Sequence, residues 1–266
     1  MSPSGQQGGP KDPVSGHEER DTPVIGHAAS FAPGASVPWH THDRGQLALT
    51  LARVMRVETP ERVWLVPRGS VLWLPAGTPH RSIAPEERSM RSLFVREDGV
   101  GALPDRPSAV EQGTPLADMV TWLAETYDLD RLDRAWTTVA GAALALVRPA
   151  PGVSVRLPRP SDPAVARIAD AVSADPSDPR SIEEWGDVLA ISPRTLRRRV
   201  QAETGLSYRD WRRYLALTVA AEKLLTGARV TDVAFEAGYA TSSAFVAAFH
   251  KAFQVTPGQF QKLAEG

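Results

Sequence analysis

Ser192-Pro193-Arg194-Thr195-Leu196-Arg197-Arg198-Arg199-Val200-Gln201-Ala202-Glu203-Thr204-Gly205 is the stretch that decides the fold of the C-terminal half. Its grammar is that of one short helix. Ser192 is placed to accept hydrogen bonds from the first free backbone N–H groups, and Pro193 fits a first turn where its missing donor costs nothing. Leu196 and Val200 form an i, i+4 apolar pair for burial, and Gly205 stops the helix. Upstream, Ser181-Ile182-Glu183-Glu184 is a capping box that opens a helix running to Ala190, with Gly186 and Ala190 small. Ile191-Ser192-Pro193 is then a tight turn. Two short helices, small residues where they cross and a tight turn between them make a helix-turn-helix. Arg194, Thr195, Arg197 and Arg198 fall on the outer face of its second helix. Such a helix fits the DNA major groove, where arginine can bond a guanine edge in bidentate fashion.

The pattern repeats downstream. Asp232 to Ala237 reads as a helix with Ala234 small, Gly238-Tyr239-Ala240 as a turn, and Thr241 as the cap of a helix carrying Phe245 and Phe249. Between the two units one long helix is predicted from Tyr208 to about Leu225, ended by Gly227. Two reading units on a stiff connector can enter successive major grooves about 34 Å apart on one face of DNA. Leu196, Val200, Trp185, Trp211, Phe235, Phe245 and Phe249 are expected to be core.

Charge agrees once it is resolved along the chain. The whole sequence of 266 residues has 30 Lys+Arg against 31 Asp+Glu, net −1, which by itself gives no support to nucleic-acid binding. Residues 194–213, however, hold seven arginines (194, 197, 198, 199, 209, 212, 213) against Glu203 and Asp210, a local excess of +5. A lone Arg-rich helix is usually a solvated face. Two helix-turn-helix units in tandem, with matched caps and small residues, argue for DNA instead.

The run SPRTLRRRVQAETGLSYRDWRR, followed by VTDVAFEAGYATSSAFVAAFHKAFQVTPGQF, closely resembles the double helix-turn-helix domain of the AraC/XylS family of transcription regulators, over about 100 residues. The resemblance implies a bacterial, sequence-specific regulator of promoter DNA, acting with RNA polymerase where it activates. Three departures stand out. Ala216 occupies a position usually held by arginine, and Gln254 one usually held by glycine. The outer face of the second unit (Ser242, Ser243, Val246, Ala247) is nearly uncharged. The first unit is therefore expected to dominate base reading. The second is expected to add phosphate contacts through Ser242, Ser243, His250 or Lys251.

The N-terminal half has a different texture. Residues 1–22 are rich in Gly, Pro, Ser and charge and are expected to be disordered. From about 23 to 100, short apolar runs (Val63–Val66, Val71–Leu74, Leu93–Val95) alternate with turn signals at Pro33-Gly34, Pro67-Arg68-Gly69 and Pro75-Ala76-Gly77, as in a β-sandwich or barrel. Two helices follow within 101–157, one opened by Thr114-Pro115 and one from about Asp130 to Val147. A linker around Pro158-Arg159-Pro160 precedes the DNA-binding domain, 158–266. The fold class is thus multidomain α+β: a β-barrel followed by an all-α domain with two helix-turn-helix units. The two connecting helices fit a homodimer interface, and equally fit packing on their own barrel.

Within the barrel, His40 and His42 are spaced i, i+2, which on a strand puts both on one face. His80 comes after a Pro-Gly turn. Three converging imidazoles with an oxygen ligand suit a divalent transition metal such as Zn, Fe, Mn or Ni. The segments Gly34-x5-His40-Thr41-His42-x3-Gln46 and Gly69-x5-Pro75-Ala76-Gly77-Thr78-Pro79-His80 resemble the two motifs of cupin barrels. Gln46 stands where that family usually has a glutamate ligand, and Ala84 where it has asparagine. The resemblance implies a sensor domain in which His40, His42, Gln46 and His80 bind a metal or a small-molecule effector. The reading that needs no metal is that these histidines line an effector pocket or hydrogen-bond internally. His17 and His27 are isolated.

Exclusions complete the picture. With no cysteine, the chain has no disulfide scaffold, thiolate zinc site or Cys nucleophile. No apolar run nears the roughly 18 residues of a membrane span, and the N-terminus lacks the plan of a signal peptide, so a soluble cytoplasmic protein is expected. The rival to a non-enzymatic regulator is a metal-dependent cupin enzyme, a dioxygenase or isomerase, fused to a DNA-binding domain. Gln46 and the lack of an evident general base argue against it.

Overall fold

The computed structural model describes residues 22–262, except 33–35, 53, 84–87, 97–102, 112–113, 129–131, 151–153 and 158–159. The expected tail to residue 21, the Pro33-Gly34 turn, Ala84 and the Pro158-Arg159 linker lie outside these residues. The described strands are β1 (Val24–Phe31), β2 (Ser36–His40), β3 (Gly45–Thr50), β4 (Val54–Glu58), β5 (Arg62–Pro67), β6 (Val71–Leu74), β7 (His80–Ile83), β8 (Arg88–Val95), β9 (Ser108–Val110), β10 (Pro149–Ala150) and β11 (Ser154–Arg156). The helices are α1 (Leu116–Glu125), α2 (Arg134–Ala145), α3 (Pro163–Ala174), α4 (Ile182–Leu189), α5 (Pro193–Thr204), α6 (Tyr208–Leu225), α7 (Val230–Glu236), α8 (Ser242–Phe253) and α9 (Pro257–Lys262).

The chain divides into two compact units. The first comprises residues up to Leu51 and Gly69–Pro151. Its antiparallel sheet has the order β1-β8-β3-β6-β9-β10, and β2 pairs with β7. All six residues of β3 are buried, as expected of a strand flanked on both sides and covered on both faces. Leu47, Trp73 and Leu93 of this sheet share one apolar core with Val120 and Leu123 of α1 and Trp136 and Ala140 of α2. Both helices are shorter than the sequence suggests. α1 starts after Pro115, with no side-chain cap, and α2 starts at Arg134 because Asp133 accepts the N–H of Trp136 and fixes the first turn.

The second unit comprises Ala52–Arg68 and Gly152–Gly266. It holds the antiparallel ladder β11-β5-β4 and helices α3 to α9. Val54, Val63 and Leu65 of the β4–β5 hairpin belong to the same core as Ile168, Trp185, Leu196, Trp211, Phe245 and Phe249. Six of the seven expected core residues of the tandem motif are buried. Phe235 is not: it is 59% exposed. On the seven-residue helix α7 the inward positions are Val233 and Ala234, which leaves the next residue facing solvent.

Candidate functional site

The first helix-turn-helix is α4, a turn, and α5. The Ser181 side chain accepts from the backbone N–H of Glu184 while the Glu184 carboxylate accepts from the Ser181 N–H, a complete capping box. The Ser181 N–H and hydroxyl together hold the Glu184 carboxyl below the usual carboxylate range. Ser192 caps α5 through the N–H of Thr195, and Pro193 occupies its first turn. At Gly186 a β-carbon would sit 2.8 Å from the Ile191 carbonyl oxygen, so only glycine lets the turn close this tightly on α4. Leu196, Val200 and Trp185 are fully buried behind the turn. Their burial fixes which face of α5 is outward, and on it Arg194, Arg197 and Arg198 are exposed and Thr195 half-buried.

The seven arginines of this segment are not equivalent. Arg197 is ion-paired with Glu183 of α4. Arg199 is paired with Asp162 at 3.2 Å, and Arg213 with Asp210 at 2.8 Å. Arg212 donates to the Asp178 carbonyl. Arg194, Arg198 and Arg209 form no ion pair among the described residues. Arg197, Arg198 and Arg209 line one cleft of about 680 Å³, together with Ser207 at the start of α6. Arg209 is the residue that sequence reading passed over. It counted toward the charge excess, but its place beside α5 depends on how α6 packs. Asp178 buttresses the same region: the Arg180 guanidinium hydrogen-bonds its carboxylate and holds it below the usual range.

α6 is 18 residues long, about 27 Å at helical rise, and connects the two helix-turn-helix units. In the second helix-turn-helix Thr241 caps α8 through the Ala244 N–H. Ser243, His250 and Lys251 are exposed and Ser242 half-buried. Gln254 ends α8 in the left-handed region, φ 61°. That conformation explains the glycine expected at this position.

In the first unit His40, His42 and His80 come together. One ring nitrogen from each lies within 4.8 Å of the other two. His40 pairs directly with His80 across β2 and β7, ring centroids 4.3 Å apart. His42 does not reach the cluster by strand alternation, because β2 ends at His40. It is held from the loop, where Gly77 N–H donates to its carbonyl and its own Nδ1 lies 2.6 Å from the Arg44 carbonyl. Nδ1 of His40 lies 2.8 Å from the Pro38 carbonyl, and Nδ1 of His80 lies 2.9 Å from that of Thr78. A carbonyl only accepts, so each Nδ1 carries a proton, which leaves Nε2 as the ring nitrogen able to ligate. Gln46 is buried, and its side-chain amide donates to the Ser92 hydroxyl at 3.0 Å. Arg44, which no motif marks, is fully buried and donates to the Thr22 carbonyl at 2.7 Å, fixing the loop that carries His42.

Residues 185–263 match the helix-turn-helix domain family, and residues 23–146 match the AraC-like ligand binding domain family. The regulator NimR of Escherichia coli is 26% identical over 223 residues, which span 84% of this chain and 81% of that protein. The regulator RipA of Corynebacterium glutamicum is 32% identical over 108 residues, 40% of this chain and 33% of that protein. Among solved structures, ToxT from Vibrio cholerae aligns over 92% of this chain and 100% of its own, with 8% identity and a TM-score of 0.40. A tandem helix-turn-helix domain preceded by a ligand-binding sheet domain defines a DNA-binding transcription regulator. The chain belongs to the AraC-like family of these regulators.

Proposed function

We propose that the chain is a non-enzymatic regulator whose histidine cluster holds a divalent transition metal, and whose occupancy alters promoter binding through α5. The observation that carries this is the common posture of the three imidazoles. Each Nδ1–H is committed to a backbone carbonyl two residues away, the arrangement that orients metal-ligating histidines and raises their basicity. The donor set, three imidazole nitrogens, fits Zn, Fe, Mn or Ni. His40, His42 and His80 would hold the ion, which would supply a Lewis-acidic anchor for an oxygen-bearing effector. Gln46, turned to Ser92, supplies no carboxylate, and this favours sensing over turnover.

On the DNA side, Arg194, Thr195, Arg197 and Arg198 read base edges. Glu183 aims Arg197 by pairing with it. Arg209, Ser242, Ser243 and Lys251 grip phosphates. Effector occupancy shifts the population competent for DNA, by no more than its differential affinity for the two states. Where the chain activates, RNA polymerase is the further partner, and a homodimer on paired half-sites fits the tandem motif.

The test is selection of bound DNA fragments with and without EDTA, combined with metal analysis of the purified chain and of a His40→Ala/His80→Ala variant. Stoichiometric metal that the variant loses, with chelator-sensitive promoter selection, supports the reading. A metal-free native chain whose promoter selection ignores EDTA overturns the metal part and leaves the DNA part standing.

A further inference from the structure

α2 carries a glycine without a structural reason. Gly141 lies in the middle of the helix, where glycine weakens the helix relative to alanine. Its backbone is not in the left-handed region. A β-carbon there would meet no atom within 4 Å, so no neighbour presses on it. Gly141 is exposed, and the space in front of it belongs to a solvent-open groove of about 610 Å³ within the first unit, whose rim also carries the exposed Thr137, Ala145 and Arg148 and whose volume is in the size range of sites for small organic molecules. None of the three clustered histidines lines it.

The walls are apolar: Val24, Leu103, Trp136, Leu144 and Val147 face the space. Their polar neighbours are occupied. Trp136 Nε1 donates to the Leu123 carbonyl, and the Thr137 hydroxyl donates back into its own helix. The Thr22 carbonyl accepts from Arg44. Among the described lining residues one side chain is charged, Arg148, and it forms no ion pair with another described residue.

We infer that this groove is a second ligand site, separate from the histidine cluster, that takes an apolar, ring-bearing organic molecule with a single anionic group. The ring system lies along α2 over Gly141 and against Trp136, and the anion pairs with Arg148. Gly141 keeps this side of the groove clear, and this accounts for a helix-weakening residue at a position where a β-carbon would meet nothing. The flanking Ala145 contributes to the same clearance. The site stands whether or not the histidines hold a metal.

The experiment uses the full chain and two probes of matched shape. 1-Anilinonaphthalene-8-sulfonate carries the anion, and N-phenyl-1-naphthylamine lacks it. Fluorescence titration and calorimetry are expected to give saturable binding of one sulfonate probe per chain. Gly141→Leu projects a branched side chain into the groove from a position whose β-carbon meets no atom within 4 Å, and improves helix propensity, so it should fold at least as well and weaken both probes by about tenfold or more. Arg148→Gln should weaken the sulfonate by about fivefold and leave the neutral probe within about twofold. His40→Ala/His80→Ala should leave both unchanged. Equal probe binding by Gly141→Leu and the native chain overturns the site, as does the absence of saturable binding. Sedimentation at the same concentrations covers the remaining reading. If Gly141→Leu turns a dimer into a monomer without altering probe binding, the α2 face belongs to a second copy of the chain and the proposal fails.

Discussion

Two non-glycine residues, Ala190 and Gln254, hold the left-handed conformation at the C-caps of α4 and α8, with φ of 53° and 61°. Each ends a helix of a reading unit: Ala190 sets the turn into α5, and Gln254 sets the turn into the Thr256-Pro257 start of α9. The conformation costs an L-residue roughly 1–2 kcal/mol, less whatever glycine loses through the freedom of its unfolded chain. Ala190 has no side chain to offset that cost. Gln254 recovers part of it by donating from its side-chain amide to the Lys251 carbonyl at 3.1 Å. Ala190→Gly and Gln254→Gly should therefore each stabilise the helical unit, by about 1 and about 0.5 kcal/mol respectively, read as a rise in urea midpoint with an unchanged slope. Lower midpoints for both would mean that the caps are not strained. The sequence flagged Gln254 as odd through family resemblance alone, whereas Ala190 read simply as a small residue. A backbone sign cannot be seen in a residue whose side chain tolerates either helix or turn.

At the scale of elements, legibility tracked the range of the interactions. α4, α5, α6 and α8 were readable almost to the residue because their caps, prolines and apolar pairs lie within a few positions of one another. β10 and β11 were not readable. Strands of two and three residues exist only because a distant partner meets them, as Ser154 meets Trp64. The histidine pair 40/42 was visible in its spacing, but the loop that turns His42 inward depends on Gly77 and Arg44. The least legible feature is the β4–β5 hairpin, whose chain lies inside the ligand-binding-domain match yet packs in the helical unit. It is fastened there by a buried ion triad. Arg56 bonds Glu58 at 2.8 Å and Glu222 of α6 at 2.6 Å, with side-chain exposures of 14%, 5% and 19%. Burial would depress the Arg56 guanidinium, but the two carboxylates outweigh it and raise it. Burial pushes the Glu222 carboxyl up despite the pull of Arg56. The asymmetry makes a prediction. Arg56→Met strands two buried carboxylates and should cost about 3 kcal/mol. Glu222→Gln removes a charge that burial already disfavours, keeps a hydrogen bond to Arg56, and should cost under about 1 kcal/mol. Equal losses would show that the triad is not an electrostatic fastening.

Across the whole molecule, a formal charge of −1 coexists with DNA binding because the positive charge is local and most of it is already engaged. Of the seven arginines in residues 194–213, four are bound within the protein, by Glu183, Asp162, Asp178 and Asp210. These bonds stiffen the helix-turn-helix but reduce the charge available to release counterions from DNA. Arg194, Arg198 and Arg209 remain, with Lys251 on α8. Since log affinity falls with log salt by about 0.9 per phosphate contact, few contacts mean a shallow slope for the native chain. The roles of the residues then separate cleanly. Arg209→Gln should weaken binding to all sequences alike and make the salt slope shallower by about 1, because a phosphate contact carries no sequence information. Arg198→Ala should cost about 1–3 kcal/mol on the preferred promoter, much less on unrelated DNA, and relax preference at one base. Fluorescence anisotropy on matched promoter and scrambled duplexes, over a series of salt concentrations, reads both effects. If Arg198→Ala weakens both duplexes equally and shifts the slope, Arg198 is a phosphate contact, and base reading by α5 rests on Arg194 and Arg197.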